Sequence, residues 1–226
     1  MTFFDAKIFS TWQMSQNLEA LACQPYPLHP HGFNPNANLP YGCTTEHIQL
    51  AMKEFIDFLG FLNQQLYTKE LNRLEAMLMP ANFSSLVGDF MASSIPKYCA
   101  GIVKNQYQNG HPDLIPAGMF PNNATPHAKE GIHIKGSRYK TAWQGYNSEE
   151  LWLIVFIFDS NRPADAAQGI QPRPFRFVKV IGAYLTKNDW TFSGQETSRR
   201  SISANVKSSG YQKMIANWIY QDPSLL

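Results

Sequence analysis

The segment His111-Pro112-Asp113-Leu114-Ile115-Pro116 is followed, after a loop rich in proline and asparagine, by Glu130-Gly131-Ile132-His133-Ile134-Lys135. Side chains alternate between the two faces of a strand, so His133 and Lys135 project to one side while Ile132 and Ile134 point into a core on the other. If Asp113 stands on a neighbouring strand or at its start, a carboxylate, an imidazole and an ammonium converge at one sheet edge. An acid there can hold a divalent cation, which polarises a phosphoryl oxygen and lowers the pKa of a bound water. The ammonium stabilises charge growing on phosphorus. Phosphodiester hydrolysis needs such a group. Each residue alone has a plainer explanation: Pro-Asp is common in turns, and Lys guards strand edges against mispairing. Their joint occurrence, ahead of the apolar run from Leu151 to Phe158, carries the functional reading.

The elements that must position these side chains are legible in the pattern. Residues 24–42 hold Pro25, Pro27, Pro30, Pro35 and Pro40 and predict a loop. Thr44 or Thr45 then caps a helix whose Ile48, Met52, Phe55, Leu59, Leu62 and Leu66 share one face. Leu71, Leu74 and Leu78 predict a short helix stopped by Pro80, and Ser84 to about Gln106 predicts another, kinked or divided at Pro96. Glu54, Glu70 and Glu75 read as solvent-facing helix acids. From residue 110 the pattern changes: 110–116 reads as a turn entering a short extended piece, 130–138 alternates, 151–159 and 175–185 are apolar strands, and 201–206 is a weaker one. Helices first and strands later predict an α/β or α+β protein around a mixed central sheet, folded as one domain over 1–226.

Composition bounds the class. With 44% apolar and 16% charged residues the chain has enough hydrophobic surface to fold, and no apolar run reaches membrane-spanning length. The N-terminus lacks the apolar segment of a secretory signal, and Cys23, Cys43 and Cys99 suit free thiols, so a cytoplasmic protein is expected. Residues 1–96 carry 4 Lys and Arg against 8 Asp and Glu; residues 97–226 carry 15 against 9. A basic C-terminal portion fits an anionic partner. No P-loop, nucleophile elbow, HExxH or paired CxxC is present, and His29-Pro30-His31 lies in a loop without further ligands at metal spacing.

Pro112-Asp113, a spacer of about twenty residues and x-Lys135 on an apolar strand resemble the PD-(D/E)xK nuclease superfamily, more narrowly its type II restriction endonucleases. The resemblance covers roughly residues 84–160, and stretches 197–204 and 214–220 look like C-terminal parts of bacterial endonuclease-like proteins. It implies a restriction-endonuclease-like mixed sheet flanked by helices, with 1–83 as a helical and loop N-terminal portion and 84–226 as the catalytic core. It also implies Mg²⁺ (or Mn²⁺) as cofactor, Asp113 as metal ligand and Lys135 as the charge-stabilising residue. Asp89, on the preceding helix, is a candidate further ligand.

The chain departs from the family where Asp or Glu would precede the Lys by two positions, because His133 stands there. Imidazole suits Mn²⁺, Co²⁺ or Zn²⁺ better than Mg²⁺. Three arrangements stay open: Glu130 supplies the missing carboxylate through a bulge at Gly131, His133 itself ligates, or the site has lost its acid.

Arg138, Lys140, Gln144 and Asn147 after the x-Lys strand, and Lys187, Arg199, Arg200 and Lys207 further on, are candidates for contacting phosphates and base edges. The expected protein is a homodimer that cuts both strands of a short duplex DNA site and is paired with a protective methyltransferase. The rival expectations are a structure-specific repair or recombination nuclease of the same fold, and a DNA-binding protein without catalysis.

Overall fold

The computed structural model describes residues 18–141, 143–145, 150–193 and 203–225. Thr44 caps the long helix α1 (Thr45–Tyr67) through a reciprocal box: its Oγ1 accepts the His47 N–H at 3.4 Å, and His47 Nδ1 accepts the Thr44 N–H at 3.2 Å. A single turn, α2 (Leu74–Met77), leads into α3 (Pro80–Tyr98). The short helix ends before Pro80 as expected, and Pro80 also starts the next helix, ahead of Ser84, because a residue without an N–H and with φ near −65° suits the first helical position. Pro96 falls in the last turn of α3 and leaves it undivided, while Val103 belongs to β1 (Ile102–Lys104).

The remaining strands are β2 (Leu114–Pro116), β3 (Ile132–Ser137), β4 (Gln144–Gly145), β5 (Leu151–Asp159), β6 (Arg176–Leu185), β7 (Trp190–Ser193), β8 (Ser203–Val206) and β9 (Trp218–Gln221); α4 (Ser208–Ala216) precedes β9. They form a mixed α/β protein. A six-stranded sheet runs β1-β2-β3-β5-β6-β9, antiparallel except between β3 and β5, and a small antiparallel sheet runs β4-β8-β7.

Strand alternation sorts the core into two layers. Ile132, Ile134, Ile154, Phe156 and Phe158 pack against Phe55, Phe83, Val87 and Met91 of α1 and α3. On the opposite face Leu153, Val155 and Ile157 pack with Trp143, Trp190, Ala204 and Met214 of the small sheet and α4. The proline-rich loop covers the β9 edge: Gly32, whose missing Cβ would stand 2.6 Å from Gln221 O, lets the chain lie flat, and Asn34 donates to Trp218 O at 2.8 Å. No helix among the described residues is long and apolar enough to cross a membrane.

Two features of this packing yield predictions. Helix α3 lies directly on β3: a Cβ on Gly136 would come within 2.4 Å of Ser84 O and 2.8 Å of Val87 Cβ. Gly136→Ala is expected to cost about 1–3 kcal/mol through this overpacking, read as a lower midpoint in urea unfolding. An unchanged midpoint would contradict such close contact.

Asp189 joins the small sheet to α4. Its carboxylate, 3% exposed, accepts from Lys213 Nζ at 2.6 Å, from the Thr186 N–H and Oγ1 at 2.9 Å each, and from Ser209 Oγ at 3.0 Å. Burial works to raise its pKa, but Lys213, Thr186 and Ser209 outweigh it and hold it at about 2. A depressed carboxyl stabilises the fold above its unfolded pKa of about 4 and loses that contribution as pH falls through its folded pKa. Roughly 2 kcal/mol should therefore disappear between about pH 4 and pH 2. Asp189→Asn is expected to flatten that part of the stability–pH curve, measured by urea unfolding at stepped pH.

Candidate active site

Strand β2 pairs with β3 only at Leu114 and Ile132, then splays away and leaves the outer edge of β3 open. Asp113, the residue before β2, closes the gap. Its Oδ2 accepts the Ile134 N–H at 2.7 Å, replacing a ladder hydrogen bond, and meets His133 Nδ1 at 2.6 Å. The aspartate is positioned from behind by Asn105, 8% exposed, whose backbone N–H donates to Asp113 O at 2.8 Å. Asn105 Nδ2 donates to Pro112 O and Thr125 O, and its Oδ1 accepts from the N–H groups of Tyr107 and Thr125. One buried amide thereby ties three loop segments around Asp113. Sequence reasoning missed Asn105, and nothing local marks it.

An open cleft of about 1140 Å³ lies along this edge, with Asp113, His133 and Lys135 all in its wall. The alternation of β3 is as expected: Ile132 and Ile134 are buried, while His133 and Lys135 face the cleft half-buried. Small residues of α3, including Ser84, Ser85 and Gly88, also line the cleft, as does Asp89. Lys104 stands there too, its Nζ 2.8 Å from Ser93 Oγ. His111 packs edge-on to His133 with ring centroids 4.6 Å apart and stacks at 6.2 Å on His127, so three imidazoles line one side. His111 adjoins the Pro-Asp motif in sequence, whereas His127 carries no signal of its own.

Burial works to raise the Asp113 pKa, but the hydrogen bond and charge of His133, the Ile134 N–H and His111 outweigh it, leaving the carboxyl below its ordinary value. Asp89 is shifted the other way. Desolvation raises its pKa, Lys104 opposes the rise and the Asp113 charge adds to it.

The candidates outside this group fall elsewhere. Glu130 is exposed and absent from the cleft wall; its charge acts on Tyr41. Gly131 takes φ 144° with no room for a side chain beside Leu114 O and Pro112, and the bulge expected there does not bring Glu130 into the cleft wall. Among the described residues Asp89, Asp113, Glu130 and His133 do not bring three donor atoms within 4.8 Å of one another; only Cys43, His47 and Cys99 do so.

Arg138, expected to reach a nucleic acid, is taken up by the fold. Its guanidinium lies 5.3 and 5.1 Å from the ring centroids of Phe83 and Phe158, and it donates to Ser160 O at 2.8 Å. Burial, with Arg162 adding, lowers its pKa to about 10. Lys140, Lys187 and Lys207 are exposed and none lines the cleft. The backbone of Gln144 pairs with Asn205 in the small sheet, and Asn147, Arg199 and Arg200 lie outside the described residues. No family model, curated protein or solved structure matches this chain.

Proposed function

We propose that this chain is a divalent-metal-dependent endonuclease of the PD-(D/E)xK type, hydrolysing phosphodiester bonds within a short double-stranded DNA sequence as type II restriction endonucleases do. The observation that carries the proposal is the opening of β2 from β3 at Asp113, which leaves a carboxylate and the Lys135 ammonium in the wall of one cleft. The donors fit a divalent cation in part: Asp113 and Asp89 offer the oxygen that Mg²⁺ prefers, and the nearby imidazole widens the fit toward Mn²⁺. A bound cation would supply Lewis acidity toward the phosphate and a more acidic water.

The remaining tasks fall to the chain. Lys135 places positive charge against the phosphoryl oxygens, His133 holds Asp113 in orientation, and the basic C-terminal portion attracts the duplex. A two-fold homodimer acting in the cytoplasm beside a methyltransferase of the same specificity completes this reading.

The short contact between His133 and Asp113 favours a second reading, because it engages the carboxylate and, among the described residues, no third donor joins the pair in a compact set. In that case the protein binds DNA and does not cut it. Incubating purified protein with a large plasmid in Mg²⁺ or Mn²⁺ separates the outcomes. Discrete fragments support a restriction enzyme, and cleavage confined to branched substrates supports a repair nuclease. A band shift with intact DNA in both metals supports binding alone.

His133→Glu restores the acid common in the family, and this variant is expected to retain or improve cleavage in Mg²⁺. Complete loss in both Mg²⁺ and Mn²⁺ would show that the imidazole has a task a carboxylate does not perform.

A further inference from the structure

Away from the cleft, two of the three cysteines come together. Cys43 precedes the capping residue of α1, His47 occupies the third position of that helix, and Cys99 caps the end of α3. Their donor atoms all lie within 4.8 Å of one another, the cysteines 6% and 1% exposed and the histidine partly open to solvent. We propose that Cys43, His47 and Cys99 form a binding site for a soft divalent cation, zinc above all, distinct from the candidate active site and independent of the nuclease reading.

The donor chemistry selects the ion. Two thiolates and an imidazole suit Zn²⁺ or Co²⁺ and disfavour Mg²⁺ and Ca²⁺. In a tetrahedral zinc centre with bonds of about 2.0–2.3 Å, neighbouring ligands stand roughly 3.5 Å apart, so donors within 4.8 Å need only small shifts to converge. Water from the His47 side would fill the fourth position.

The backbone around the cluster is built for close approach. Tyr41 and Gly42 are consecutive left-handed residues, φ 57° and 71°, which fold the loop back before Cys43. Gly101 receives that loop, since a Cβ there would stand 2.0 Å from Tyr41 O. The Tyr41 hydroxyl then accepts the Gly131 N–H at 2.9 Å, at the entrance to β3. An ion at this point would fasten the start of α1 to the end of α3 and, through Tyr41, brace the strand that carries His133 and Lys135.

Binding has a local cost. The His47 ring takes the Thr44 N–H at Nδ1, and whichever ring nitrogen holds the ion, that N–H loses its acceptor. Two thiolate bonds outweigh one exposed capping hydrogen bond.

Titration of the full-length, metal-stripped and reduced protein with Co²⁺ is the test. Expected are thiolate-to-cobalt charge-transfer and tetrahedral d–d bands saturating at about one equivalent, bleached by Zn²⁺. Cys43→Ser and Cys99→Ser should each weaken binding by more than about 100-fold, beyond the cost of losing an outer-shell partner. Cys23→Ser, a buried thiol outside the cluster, should keep the bands. Asp113→Asn should keep them too, even with cleavage lost. Absence of charge-transfer bands in the unsubstituted protein would overturn the proposal whether or not the serine variants fold. Bands persisting in the Cys43→Ser/Cys99→Ser double variant would also overturn it.

Discussion

Asp113→Asn is expected to lower DNA cleavage by about 10³-fold or more while the protein stays folded and still binds its DNA. The isostere keeps an oxygen acceptor for the Ile134 N–H, now held at 2.7 Å, so the β3 edge remains satisfied. What it removes is the negative charge that would hold a cation and that now faces His133 at 2.6 Å. Asp113→Ala removes the acceptor as well and should add a stability loss of about 1–2 kcal/mol, since Ile134 N–H would be left unpaired at the strand edge. Comparing the two variants therefore separates chemistry from scaffolding.

Lys135→Ala should match the activity loss, because it removes the ammonium from the cleft wall. Single-turnover cleavage at saturating protein, with a parallel band-shift assay, reads both effects. Cleavage by Asp113→Asn within tenfold of wild type would end the assignment of Asp113 as the essential acid.

Arg73→Met is expected to cost about 3–5 kcal/mol of stability, the largest effect foreseen outside the cleft. Arg73 is 2% exposed and Glu75 fully buried. The guanidinium donates to Glu75 Oε1 at 2.7 Å, Glu19 Oε1 at 2.8 Å, Asn161 Oδ1 at 2.8 Å and Arg173 O at 3.0 Å. Asn63 completes the network from α1, donating to Glu75 Oε2 at 2.9 Å and accepting the Leu74 N–H. Methionine fills much of the arginine's volume but strands the buried Glu75 charge with Asn63 as its remaining partner.

The penalty belongs to the orphaned charge, so Arg73→Met/Glu75→Met should recover most of the loss. A double-mutant cycle in urea unfolding measures the coupling directly. A single-variant cost below about 1 kcal/mol would mean that water reaches Glu75 and the network is peripheral.

Glu75 also shows where reading the chain in one dimension fails. It was expected on a helix surface beside Glu54 and Glu70. Glu70 is indeed exposed, and Glu54 sits half-buried with Lys97, Ser94 and Tyr98, but Glu75 lies in the core. A charged residue enters a core only with partners, and its partners are Asn63 and Arg73, the latter held in turn by Glu19. No local pattern announces such a meeting. Helix α4 and strand β9 went unpredicted for a related reason: Trp-Ile-Tyr-Gln has no alternation of its own and becomes a strand by pairing with β6.

Local physics determined much of the rest from sequence. The apolar repeat of α1, the capping threonine and the two-residue alternation of β3 depend only on neighbours within a turn or a pleat, so His133 and Lys135 are legible as a pair in the sequence. Tertiary structure alone decided that Asp113 would join them, that Glu130 would turn away, that Arg138 would pack inward and that Cys43 would meet Cys99. Those outcomes depend on how β2 parts from β3 and where α3 ends against the 41–43 loop. Both are set by residues apart in the chain, such as Asn105 with Thr125 and Gly101 with Tyr41, whose encounter exists only once the core has closed.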